Sequence, residues 1–133
     1  MWSRRRIRPR LFGVGRLSLA LLVVTMLLPH AAWPASQAAV PAEFKRGEAA
    51  FNANCARCHG ERGVGTSQGP PFVHKIYEPN HHGDAAFQRA AMIGVRAHHW
   101  QFGDMPKIPT VTSSDVDEII KYVRWLQRQA GIF

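Results

Sequence analysis

Cysteine is nearly missing from this 133-residue chain, which holds only Cys55 and Cys58. A structural zinc centre takes four ligands, usually from two paired clusters, so one pair plus scattered histidines argues against it. Acids are scarce too: 9 Asp and Glu stand against 17 Lys and Arg, and residues 1–38 contain none. Those residues hold six arginines, Arg4, Arg5, Arg6, Arg8, Arg10 and Arg16, and the rest of the chain has 11 bases against 9 acids, or +2. The overall charge of +8 therefore lies mostly in the leader, which argues against a basic nucleic-acid-binding face. No convincing β alternation and no internal repeat is visible. The clearest apolar run, Leu17 to Leu28, spans 12 positions interrupted by Ser18 and Thr25. A spanning helix takes roughly 20.

The first 38 residues have the layout of a secretory signal peptide: a cationic start at Arg4 to Arg10, the apolar run, and a small-x-small cleavage site at Ser36-Gln37-Ala38. Read back to Leu11 across Arg16, the run reaches 18 positions, which keeps an uncleaved membrane anchor as the alternative. Ser3-Arg4-Arg5-Arg6-Ile7 also has a twin-arginine look. Residues 39–133 are expected to form one small domain in the periplasm. Two cysteines in an oxidising compartment would by default form a disulfide.

In the mature chain, Phe44, Gly47 and Phe51 share a face, which predicts an amphipathic helix over Ala42 to Asn54. Gly60 to Asp84 contains five glycines and three prolines and reads as a long irregular loop. Asp84 is placed to cap a short helix over Ala85 to Val95, in which Met92 reads as packing. The last helix carries the strongest signals. Thr112 and Asp115 resemble a capping box, and Val116, Ile119, Ile120, Val123 and Leu126 form an apolar stripe flanked by Tyr122. Gly131 supplies the stop. The expected class is all-α, with loops that need something to pack around.

Cys55-Ala56-Arg57-Cys58-His59 is the attachment motif for c-type haem, with high specificity after an export signal. Two thiols add across the haem vinyl groups as thioethers, and the adjacent imidazole is held at the iron. A thioredoxin-like pair belongs in a βαβ context, whereas a helix leads into this motif. A disulfide across this spacing is strained and leaves His59 unexplained.

With that motif in place, Ala42 to Gln129 resembles a small class I c-type cytochrome. Gly47 and Phe51 resemble the family's Gly-and-aromatic pair that crosses the last helix, with Ile119 and Tyr122 at matching places. Gly69-Pro70 resembles the loop whose Pro70 carbonyl accepts the Nδ1 hydrogen of the proximal His59, although Gly69-Pro70-Pro71 would make a turn in any case. Met105, in Gly103-Asp104-Met105-Pro106, matches the family's distal Met-Pro, although most methionines are core residues. The resemblance implies three or more helices and long loops around one haem c, held covalently by Cys55 and Cys58 and ligated by His59 and Met105. His74, His81, His82, His98 and His99 lie in or beside predicted loops and compete for the sixth position. His81-His82 could also bind copper or titrate near neutral pH.

With both axial positions filled, the expected function is outer-sphere electron transfer, not enzymatic catalysis. The protein would be a diffusible periplasmic carrier or the cytochrome partner of a dehydrogenase or terminal oxidase, a monomer or a member of transient complexes. Lys75, Arg96 and Lys107 are candidates for its contact rim. The rival classes are a haem-based sensor with a displaceable sixth ligand, and a peroxidase using His98 or His99 as acid-base catalyst.

Overall fold

The structure, a computed structural model, describes residues 38–133. The leader, apart from Ala38, lies outside the described residues. Four α-helices and no β-strand occur among them: α1 Lys45–Asn54, α2 Ala56–His59, α3 Asp84–Ile93 and α4 Ser113–Gln129. The all-α expectation holds. No helix of the described residues is long and apolar enough to cross a membrane.

The chain enters α1 through a 3-10 turn, Ala42–Phe44, and runs from α1 into α2 at Cys55. Helix α4 packs against both α1 and α3. Its stripe of Val116, Ile119, Ile120, Val123 and Leu126 is buried, and Tyr122, read from sequence as flanking, is completely buried. Phe51 of α1 meets Tyr122 at a ring separation of 5.5 Å. The crossing needs Gly47, where a Cβ atom would collide with the Glu118 carbonyl oxygen and lie 2.9 Å from Tyr122 Cβ.

Both ends of α4 are closed by local hydrogen bonds. At the start, Thr112 Oγ1 accepts from the Asp115 backbone N–H at 3.2 Å while Asp115 Oδ2 accepts from the Thr112 N–H at 3.1 Å. At the end, Ile132 N–H reaches the Gln127 carbonyl at 2.9 Å and Gly131 N–H the Arg128 carbonyl at 3.1 Å, with Gly131 at φ 72°. This is a Schellman closure.

The Thr112 hydroxyl, then its backbone N–H, then Arg46 hold the Asp115 carboxyl below its ordinary value of 3.8. A depressed carboxyl stabilises the fold above its unfolded pKa, and the contribution disappears as pH falls through the folded pKa. Thr112→Ala is expected to cost about 1 kcal/mol at neutral pH, or ~4–8 °C in melting temperature. Because the substitution also removes the carboxyl's partner, its deficit should narrow as pH is lowered through the acid range. Circular dichroism melts at several pH values check this, and a deficit independent of pH would show that the carboxyl plays no part.

Three expectations are corrected. Asp84 does not cap α3. It is the first helical residue, Gly83 stands at the cap, and the Asp84 carboxylate accepts from Arg124 Nε at 2.8 Å. Helix α3 ends at Ile93, short of Val95, because Gly94 turns to φ 82° where a Cβ would sit 2.6 Å from the Met105 carbonyl oxygen. Val95 and Met105 then pair as an antiparallel bridge through two 2.9 Å hydrogen bonds. Met92, read as packing, is 38 % exposed.

The long loop is shaped by a buried polar network. Arg124, only 8 % exposed, donates to the carbonyls of Tyr77 (2.7 Å) and His82 (2.6 Å) and to Gln127 Oε1 (2.7 Å). Gln127 Nε2 donates to the Phe72 and Tyr77 carbonyls, each at 2.9 Å. Carbonyls that no helix or sheet could satisfy therefore find donors from α4.

Candidate haem site

The site is built on one helical turn. Cys58 N–H and His59 N–H both reach the Cys55 carbonyl, at 3.1 and 3.0 Å. Residues three and four apart lie on one helix face, so Cys55, Cys58 and His59 are presented together. Both thiols are free and partly buried. Burial, followed by the neighbouring Cys58, pushes the Cys55 thiol up to about 11. Redox-active cysteine pairs have the opposite shift, toward the thiolate at neutral pH.

The loop after the motif folds back and fixes the imidazole. Gly65 N–H donates to the His59 carbonyl at 2.6 Å, and Thr66 Oγ1 donates to the Cys58 carbonyl, also at 2.6 Å. Gly69 lies so close that a Cβ would come within 2.8 Å of that same Cys58 oxygen. The approach brings the Pro70 carbonyl to 2.8 Å from His59 Nδ1. Since a carbonyl only accepts, Nδ1 carries the hydrogen and Nε2 keeps its lone pair. Phe72 stacks on the imidazole at 4.0 Å and 16°. Burial lowers the His59 pKa, against the smaller upward pull of the Pro70 bond, and favours the neutral ring that a metal requires.

A cavity of about 500 Å³ opens in front of this face, with Cys55, His59, Pro70, Phe72, Trp100 and Met105 among its walls. Cavities of this size hold small molecules and cofactors. A second hollow of about 80 Å³ is lined by Cys58, His59, Pro70, Met105 and Pro106 among others. Met105 and His59 therefore face both spaces. The Trp100 indole N–H is buried without a hydrogen-bond partner. Two thiols on one face, an imidazole with a free Nε2, a thioether on the same cavity and an unpaired buried donor fit a haem c.

The structure brings together all five sequence-predicted site residues, Cys55, Cys58, His59, Pro70 and Met105, around these two spaces. His81, His82, His98 and His99 also line the large cavity, and His74 does not. Of the three candidate rim cations only Arg96 lines it, while Lys75 and Lys107 are exposed elsewhere. Sequence reasoning missed Phe72 and Trp100. A Phe two residues beyond Gly69-Pro70 was the available signal for the first. The second is placed by a loop with no periodic pattern.

Residues 44–127 match the family model described as Cytochrome c, and the chain belongs to the cytochrome c family. No curated protein and no solved structure gives a match. The protein is thus a haem-binding electron-transfer protein of the class I c type, a family whose members are typically carriers.

Proposed function

We propose that this protein is a periplasmic monohaem carrier, or the cytochrome partner of a membrane dehydrogenase or terminal oxidase, with His59 and Met105 as axial ligands and Cys55 and Cys58 as thioether attachments. The observation that carries the reading is the placement of His59 and Met105 on the same two spaces, with the Pro70 carbonyl reserving Nε2 of His59 for a metal. The haem, when bound, supplies one reversible electron on iron. Pro70 and Phe72 hold the His59 ring in one orientation, which limits rearrangement between oxidation states. The Val95–Met105 bridge fixes the backbone of Met105.

The cavity mouth supports a docking role. Ile93 is 75 % exposed and Phe102 40 % exposed, and both belong to its lining. Exposed apolar side chains beside a redox centre suit small, transient encounters. The residual +2 of residues 39–133 gives weak electrostatic steering, so association should respond little to salt.

The test is Met105→Ala in the holoprotein. A thioether favours Fe(II), so its loss is expected to lower the reduction potential by on the order of 0.1 V, within the roughly 0.8 V range that axial ligands control. The ferric iron-to-sulfur charge-transfer absorption should vanish. Reduced wild type should leave carbon monoxide unbound, and M105A should bind it. Rapid carbon monoxide binding by the wild type would instead favour the sensor reading.

A further inference from the structure

On the cavity that His59 and Met105 also line, four imidazoles converge from two loops. His81 and His82 sit on a turn in which the Glu78 carbonyl accepts both of their backbone N–H groups, at 3.0 and 2.9 Å. His98 and His99 sit on the loop between α3 and Met105, closed at its base by the Val95–Met105 bridge and by Asp104 Oδ1, which accepts from Ala97 N–H at 2.8 Å. Where the loops meet, His81 Nε2 lies 3.1 Å from His99 Nε2. The ligand nitrogens of His81, His82 and His99 all fall within 4.8 Å of one another.

We propose that His81, His82 and His99 form a second metal site, independent of the haem iron, that holds one zinc(II) or copper(II) ion through three imidazole nitrogens with a fourth position open. Zinc–imidazole bonds of about 2.0–2.1 Å put the nitrogens of a tetrahedral site about 3.3 Å apart. The His81–His99 separation already matches that edge. The third nitrogen is brought in by a small rotation of rings at the protein surface.

His82 is prepared for this role. Its Nδ1 donates to the Ile76 carbonyl at 2.6 Å, which leaves Nε2 as the ligand atom, as second-shell carbonyls do for metal-binding histidines. Arg124 Nη2 holds the His82 carbonyl at 2.6 Å, so a buried guanidinium anchors the turn. His98 flanks the set: its Nδ1 donates to the Arg96 carbonyl at 2.8 Å and its ring stacks on His82 at 5.7 Å. Neutral imidazole suits zinc and copper among the divalent ions.

The experiment uses exported holoprotein, purified without a polyhistidine tag and stripped with a chelator, because the same imidazoles line the haem cavity. Calorimetric titration with zinc at constant pH should show one equivalent bound at micromolar affinity or tighter. Copper(II) should give a paramagnetic resonance spectrum with nitrogen hyperfine structure. His81→Ala combined with His99→Ala, both at exposed positions, should weaken zinc binding by tenfold or more. His98→Ala should keep the site. Absence of uptake, or uptake indifferent to the double substitution, overturns the proposal.

Discussion

Replacing Cys55 and Cys58 together by serine is expected to yield exported protein from which acidified acetone removes all pigment, or which carries none. In the wild type the pigment should stay with the polypeptide. Both thiols are free, share a helix face with His59, and border the cavities that His59 lines. A hydroxyl at either position cannot form the thioether. The single variants should each retain one bond and remain coloured. The effect on the fold should be as large. The cavity of about 500 Å³ would lose the occupant around which the loops pack. A small domain is stable by only ~5–15 kcal/mol, so the loss of that packing partner weighs heavily. The double variant should therefore show reduced helicity and no cooperative melt by circular dichroism. Pigment resistant to acid extraction in that variant would sink the attachment reading.

What the sequence made legible follows from how local each constraint is. Covalent capture of a cofactor needs two thiols and an imidazole at fixed spacing on one turn, so Cys55, Cys58 and His59 stand out without any knowledge of the fold. Helix α4 is equally plain, since the Thr112–Asp115 box and the Gly131 closure are formed by neighbours in the chain. The end of α3 was misread although Gly94 offers the same local stop as Gly131; what no neighbouring residue announces is the close approach of the Met105 backbone at that turn. Arg124 and Gln127 escaped notice for a similar reason. Polar residues on a helix are ordinarily solvated, and only the loop carbonyls of Phe72, Tyr77 and His82, 42 to 55 positions away, turn them inward. The four-imidazole cluster is likewise two unremarkable His-His pairs until two loops meet.

Gly47→Ala separates helix propensity from helix crossing, because the two predict opposite signs. Propensity alone favours Ala over Gly in a helix interior by about 1 kcal/mol. The crossing opposes it. The new Cβ would collide with the Glu118 carbonyl oxygen and stand 2.9 Å from both the Glu118 carbonyl carbon and Tyr122 Cβ. Two of those atoms are backbone of α4 and cannot move aside by a rotamer change. Relief requires α1 and α4 to separate, which loosens Phe51 from Tyr122, two rings with no exposed surface. Overpacking of this kind costs roughly 1–3 kcal/mol, and a β-branched side chain more. Gly47→Ala should therefore lower the melting temperature of the holoprotein by about 5–15 °C, and Gly47→Val by more. Gly131→Ala supplies the contrast. Its φ of 72° makes any side chain strained, yet nothing lies within 4 Å, so its cost should stay near the ~1–2 kcal/mol of a left-handed residue. A Gly47→Ala protein more stable than the wild type would mean that α1 and α4 do not meet this closely.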